Sequence, residues 1–380
     1  MNRSPIQPLV WCLLWSLPLA LLGPSTARAQ PGPLPEPTPA AQPKPTPKPK
    51  RIKLQPPELR GMALTLHSKD PDFDYSPMLR ELPDLGVNFV CVSVHVYQDH
   101  GDSLAPSRHP TKTPSDGTIR RVLREARRLG LEIALLPIVL LSSPKDNDWR
   151  GNLSPPDLRG RIRSHAKYGT PDWKAWFRGY RAVISHYARL AEECRASVFC
   201  VGSELSSTEG QLKEWQQVVR EVRQRFSGDL TYSANWDHYE HVQIWKDLDF
   251  IGLSAYYELT TSKSPSLPEL IRSWKGVRHE ILRWRKDAGL TEVPILFTEV
   301  GYPSIDGGAS KPWDYTQKTG ADLHEQKLCY QAFVRTWNGR PELGGAIFYE
   351  WWGRGGREDR GYTPRGKPAL RVLREWFTAR

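Results

Sequence analysis

The sequence predicts an α/β fold, a closed (β/α)8 TIM barrel, preceded by a signal peptide and a Pro-rich linker. Three observations carry this prediction. Eight short apolar runs recur from residue 61 onward, and helix-period segments fall between them. No Gly-rich phosphate loop follows the first run, as an open dinucleotide-binding sheet would require. Strict alternation of strand and helix favours parallel strands joined by right-handed crossovers, and eight repeats close a barrel.

The strand candidates are Gly61 to Leu66, Phe89 to Val94, Glu132 to Leu136, Val198 to Val201, Leu230 to Ser233, Phe250 to Ala255, Ile295 to Thr298 and Gly345 to Tyr349. Their length and β-branched or aromatic content suit strands buried on both faces. The clearest helix carries Trp173, Trp176, Phe177, Tyr180, Val183, Ile184, Tyr187 and Ala191 on one stripe, with Thr170 as expected N-cap and Pro171 at the first helical position. Trp173 and Trp176 on that stripe read as core. Further helices are expected over Ile119 to Leu129, Leu212 to Phe226, Leu267 to Ala288, Ala321 to Trp337 and Lys367 to Phe377, with only a short one around Val242 to Leu248. The connection from Val139 to Thr170 exceeds ordinary loop length and is expected to form part of the rim of a site.

Residues 1–29 read as a signal peptide. Arg3 precedes an apolar run from Leu9 to Leu22, and Ala27-Arg28-Ala29 supplies a small-x-small cleavage pattern. The run is shorter than the roughly 20 residues that span a bilayer, so cleavage and no stable membrane span are expected, with a secreted or periplasmic destination. Residues 30–57, rich in Pro, Lys, Ala and Thr, have too few apolar side chains to offset ordering entropy and read as an extended, disordered spacer. The barrel domain then occupies 58–380.

Charge and cysteine usage narrow the function classes. The first 57 residues hold seven basic side chains against Glu36 alone, a net +6 of the formal +11, which leaves the barrel domain only +5. That is a weak argument for nucleic acid and is compatible with a neutral substrate. Cys91, Cys194, Cys200 and Cys329 show no CxxC or Cys/His spacing, so neither a zinc site nor another metal or cofactor is expected. Export permits disulfides, although Cys91 and Cys200 lie in apolar strands where free thiols are usual.

Reactive residues of such a barrel belong to the C-terminal ends of its strands. Those ends carry His67, His95 with Tyr97, Trp149-Arg150-Gly151, Glu204, Asn235-Trp236, Tyr256-Tyr257, Glu299 with Tyr302, and Glu350-Trp351-Trp352. Glu204 and Glu299 each close a buried strand, a poorly solvated setting for a carboxylate, and their matched contexts suggest a catalytic pair rather than two structural ion pairs. Aromatic rings and planar polar groups around them match sugar C–H faces and hydroxyls. A polysaccharide or oligosaccharide substrate follows. His95, Trp149, Arg150, Asn235, Trp236, Tyr256, Trp351 and Trp352 are the expected substrate-site residues. Glu350 is the rival carboxylate. His67 and His95 come from separate strands without a third ligand, so hydrogen bonding is expected of them rather than metal binding.

The strings VGSEL (201–205), YSANW (232–236), DFIGLSAYY (249–257), FTEVGYPS (297–304) and YEWW followed by GYTPRGKPA resemble glycoside hydrolase family 113, whose members are (β/α)8 retaining enzymes acting mainly on β-1,4-mannans. The resemblance covers nearly all of the chain from Gly61. It implies that Glu204 is the acid/base and Glu299 the nucleophile of a retaining β-glycosidase acting on β-mannan or manno-oligosaccharides. Ser203 stands where the wider clan often has Asn before the acid/base. Trp149-Arg150-Gly151 is similar to the family's loop after strand three; Arg150 either lowers the nucleophile's pKa or is a solvated loop arginine. Tyr256 either hydrogen-bonds Glu299 or is satisfied by backbone. The expected function is therefore an exported retaining glycosidase; the alternatives are another glycan substrate, or a non-catalytic carbohydrate-binding barrel of the cell envelope.

Overall fold

The structure is a computed structural model that describes residues 55, 57–145, 148–156 and 172–379. These fall in the compact unit Ile52–Arg380. The signal-peptide segment, the linker apart from Gln55 and Pro57, Thr170, Pro171 and the middle of the long rim connection lie outside the described residues; Gln55, placed in the spacer by the sequence, accepts from Gly339 N at 3.0 Å and so belongs to the barrel unit.

Eight parallel strands close on themselves in sequence order. They are β1 (Leu59–Thr65), β2 (Phe89–Gln98), β3 (Glu132–Leu141), β4 (Val198–Ser203), β5 (Asp229–Asn235), β6 (Ile251–Ser254), β7 (Ile295–Val300) and β8 (Leu343–Phe348). All eight expected strands are present. β2 and β3 run longer than their apolar runs suggested, because Val94 to Gln98 pairs residue for residue with Pro137 to Leu141 and carries the ladder toward the mouth. Pro137 can sit in β3 although it offers no N–H to the ladder.

Period-two alternation sorts the strand residues into two packed layers. Phe89 and Cys91 of β2, Ala134, Leu136 and Ile138 of β3, Val198 and Cys200 of β4, Leu296 and Ile347 fill the barrel interior. Their neighbours Val90, Val92, Ile133, Leu135, Phe199 and Val201 face the surrounding helices. The interior is thus plugged with side chains, and chemistry is confined to its ends.

The helices are α1 (Ser76–Glu81), α2 (Asp116–Arg128), α3 (Trp173–Glu193), α4 (Leu212–Arg223), α5 (Leu267–Asp287), α6 (Leu323–Trp337) and α7 (Pro368–Phe377). The N-cap of α3 is Asp172, whose carboxylate accepts from Ala175 N at 3.0 Å, in place of the expected Thr170. α5 opens with a capping box between Ser266 and Glu269 and with Pro268 in its first turn. Trp176 and Tyr180 of α3 stack at 4.9 Å inside the outer layer, as their stripe required. Between β5 and β6 the crossover is reduced to two 3-10 turns, Tyr239–His241 and Trp245–Asp247. The four barrel cysteines are free and buried. Among the described residues no helix is long and apolar enough to cross a membrane.

Candidate active site

Glu204 follows the last residue of β4 in the left-handed region, at φ 50°. A side chain other than Gly pays for that conformation with strain on the order of 1 kcal/mol or more, and such strain tends to persist where function demands a particular direction. Its own N–H donates to Ser233 O at 2.8 Å, and the next amide, Leu205 N, donates to Tyr232 Oη at 2.9 Å. Tyr232 in turn donates to the buried carboxylate of Glu209 at 2.8 Å, which His238 contacts through Nδ1 at 2.5 Å. The turn that presents Glu204 is therefore pinned from beneath by a satisfied polar network.

Glu299 reaches the mouth by another device. Simple alternation along β7 sends Thr298 inward and Glu299 out. The ladder slips here, with Leu253 opposite Phe297 and Ser254 opposite Glu299, so one extra residue is accommodated. A bulge re-aims side chains in this way. Thr298 meets Ser233 inside the barrel at 2.6 Å, while Glu299 meets Tyr256 at the end of β6.

Both carboxylates are only 6 % exposed, and each has its own partners. Glu204 accepts from Ser254 Oγ at 2.5 Å on one oxygen and is paired with Arg150 Nη2 on the other. Glu299 Oε2 accepts from the Tyr256 hydroxyl at 2.5 Å. Burial pushes the Glu299 carboxyl up to about 7, and the nearby Glu204 charge pushes the same way; the Tyr256 hydrogen bond and the Arg150 charge oppose them. For Arg150, burial disfavours its charge, but the Glu204 and Glu299 carboxylates outweigh this and hold the guanidinium ionised. Arg150 thus lies within reach of both carboxylates, paired with Glu204 and acting on Glu299 through its charge.

The remaining sequence-predicted residues surround this pair. His95 is half-buried, its ring 5.8 Å from that of His67, and burial followed by the His67 and Arg150 charges lowers its pKa to about 4, so it is neutral. His67 Nε2 lies 2.9 Å from Glu350 Oε2, which occupies the rival carboxylate with a partner of its own. The ring of Trp149 lies against the backbone of Gly151, where an added Cβ would sit 2.1 Å from it, and Arg150 stands 6.0 Å from that ring. Asn235 accepts from the backbone of Trp236 at 3.0 Å, and the half-buried Trp236 ring packs edge-on to Tyr257 at 5.6 Å. Trp352 is half-buried, 5.2 Å from His67 and 5.6 Å from Phe73.

Trp351 is placed differently from the expectation. It is 2 % exposed, its ring belongs to the core, and Arg365 covers it at 5.6 Å, so no sugar can stack on it in this arrangement. Adjacent residues leaving a strand end point in different directions, and of the two tryptophans only Trp352 turns to the rim. Tyr302, likewise named at a strand end, is fully buried.

Sequence reasoning missed Ser254, the partner of Glu204, and the Glu209–His238–Tyr232 network. Ser254 was legible as a polar residue closing an apolar strand beside Tyr256. The network was not, because it joins residues far apart in sequence. Two rim clefts of about 260 and 280 Å³ flank the β1–α1 connection, lined among others by Phe73, Asp74 and Arg121 and by Ser68, Asp70 and Thr111. Neither takes in Glu204 or Glu299.

Comparison with solved structures gives three informative relatives. The GH113 β-mannanase AaManA from Alicyclobacillus acidocaldarius, solved in complex with ManMIm, is 28% identical, with 86% of this chain and 98% of that one covered at a TM-score of 0.71. A GH113 β-1,4-mannanase is 24% identical over 85% of this chain and 100% of its own, at a TM-score of 0.73. The β-glucuronidase of Faecalibacterium prausnitzii shares the fold alone, at 12% identity and a TM-score of 0.56 over 85% of this chain and 49% of its own. Comparison with curated proteins returns no match. The family model of Glycoside Hydrolase Family 113 matches residues 74–366, a span that contains Arg150, Glu204, Tyr256, Glu299 and Trp352. On that match the chain belongs to Glycoside Hydrolase Family 113 and is a glycoside hydrolase.

Proposed function

We propose that this glycoside hydrolase is an exported, retaining enzyme that cleaves β-1,4-mannan or manno-oligosaccharides by double displacement. The observation that carries the reading is the asymmetric pair at the barrel mouth, Glu299 fixed by Tyr256 and Glu204 fixed by Ser254 and Arg150. Two carboxylates with distinct partners suit the two roles that retention needs. The mannanase relatives support the substrate class, and the N-terminal sequence supports export.

In this reading Glu299 attacks the anomeric carbon with the oxygen that Tyr256 leaves free. The bond to the leaving oxygen breaks as Glu204 delivers its proton there. The sugar is then held as an ester on Glu299 until Glu204 takes a proton from water, which attacks the same carbon and releases Glu299 as carboxylate. Burial favours the protonated form of Glu299, whereas attack needs that carboxyl ionised. Substrate supplies the shift. Positive charge developing at the anomeric carbon stabilises ionised Glu299, and the Tyr256 hydrogen bond and the Arg150 charge favour the same form.

Reducing-sugar release from a series of purified β-glycans, measured for wild type and Glu299→Ala, tests the reading. Release from β-mannan that is lost in the variant is expected. A wild-type enzyme that leaves β-mannan intact while cleaving another β-glycan would overturn the substrate.

A further inference from the structure

We infer that Trp313 and Tyr315, on the connection after β7, form an outlying sugar-stacking platform that binds a β-linked hexosyl unit of the chain held at the barrel mouth. The inference rests on the glycan-hydrolase reading above and extends it beyond the residues at the strand ends.

Large exposed hydrophobic side chains are scarce on this molecule. Among the described residues they are Leu104, Trp313 and Tyr315, and two of these three stand two positions apart on one connection, at 45 % and 83 % exposure. Aromatic rings left in water cost solvation, and a pair of them concentrated on a rim points to a ligand with apolar faces. The hexose ring is such a ligand, because its axial C–H groups form a flat patch while its hydroxyls remain in water.

The segment fixes the indole of Trp313 and orders the turn that carries Tyr315. Trp313 Nε1 donates to Glu258 Oε1 at 3.0 Å, which anchors the indole by its edge. Asp314 accepts from Thr316 N at 3.0 Å and from Thr316 Oγ1 at 2.5 Å, and Gln317 Nε2 donates to Lys311 O at 2.8 Å and to Asp314 O at 3.2 Å. A turn already ordered by its own hydrogen bonds loses little freedom on binding, which is what a stacking platform needs.

The platform is also tied to the catalytic pair. Tyr362 donates to Pro312 O at 2.6 Å, beside Trp313, and its ring lies 6.0 Å from that of Tyr256, the residue that holds Glu299. Glu258, the anchor of Trp313, follows Tyr256 by two residues. The exposed rings therefore continue from the Glu299 side of the mouth, and a chain leaving the mouth on that side meets them.

The test compares kcat/KM on β-1,4-mannohexaose and on mannotriose for wild type, Trp313→Ala, Tyr315→Ala and the double variant, with Tm recorded for each. The inference expects a loss that grows with chain length, about tenfold or more on the hexaose for the double variant and severalfold less on the triose, with Tm held within a degree or two. Trp313→Phe, which keeps a ring but loses the Glu258 anchor, should fall between wild type and Trp313→Ala. Equal losses on both substrates, or none, would overturn the platform. If the wild-type enzyme cleaves neither oligosaccharide, the mannan reading fails first, and the same comparison on long and short forms of the β-glycan it does cleave decides the platform separately.

Discussion

Tyr256 donates its hydroxyl to Glu299 Oε2 at 2.5 Å, and Ser254, two residues earlier on the same strand end, donates to Glu204 Oε1 at the same distance. The end of β6 thus orients both carboxylates, although they arrive on β4 and β7. Two hydroxyl donors leaving one strand fix one oxygen of each glutamate, and Arg150 takes the other oxygen of Glu204.

Replacing Tyr256 by Phe removes the hydrogen bond that favours ionised Glu299 and keeps the ring. The variant should lose about tenfold or more in kcat. Its acidic limb should move to higher pH, because Glu299 must be ionised to attack and the Tyr256 hydrogen bond lowers its proton affinity. A pH profile of kcat/KM checks both; an unchanged limb with reduced kcat would assign Tyr256 to packing instead.

Stability should also report on Glu299. Its carboxyl is raised from an ordinary 4.5 to about 7, first by burial, so the native state holds the proton more tightly than the unfolded chain. That contribution is complete below about pH 4.5 and is lost as pH rises through about 7. Glu299→Gln, which cannot ionise, should therefore raise Tm by several degrees at pH 8 and change it little at pH 4. Thermal melts of the two proteins at both pH values decide this, and a Gln variant less stable than wild type at pH 8 would contradict the burial argument.

Glu204 and Glu299 should fail differently when removed. Glu299→Ala should abolish turnover of every glycoside. Glu204→Ala should spare substrates with acidic aryl leaving groups, and azide should restore part of its activity by attacking the glycosyl ester. Rates measured across a leaving-group series would refute the roles if both variants respond alike.

The neighbouring tryptophans should separate folding from binding. Trp351→Ala empties a core position and should cost about 3–5 kcal/mol of stability. Trp352→Ala should raise KM severalfold with a smaller change in Tm, since that ring stands at the rim beside His67 and Phe73. Denaturant melts and Michaelis curves of the two variants make the comparison.

Much of this was legible in the sequence because burial leaves a periodic trace. Eight apolar runs separated by helical stripes gave the barrel, and polar residues closing those runs gave Glu204, Tyr256 and Glu299. What stayed hidden depends on geometry without a period. The register slip that turns Glu299 inward leaves no mark in FTEVGYPS, and the left-handed turn at Glu204 falls on a residue type that seldom adopts it. The opposite fates of Trp351 and Trp352 follow from the direction of the chain as it leaves β8. Arg150 was expected to act on the nucleophile or to be solvated; it pairs directly with Glu204 and reaches Glu299 only through its charge.

The central claim is that Glu299 forms the covalent link to the sugar. Incubation with a 2-deoxy-2-fluoro-β-mannosyl fluoride, which forms the glycosyl ester but hydrolyses slowly, followed by proteolysis and mass spectrometry, tests it most directly. The account predicts one added fluorosugar on the peptide carrying Glu299, with activity lost in step with labelling. A label on the peptide carrying Glu204, or hydrolysis of the natural substrate to the α anomer with no label at all, would contradict it.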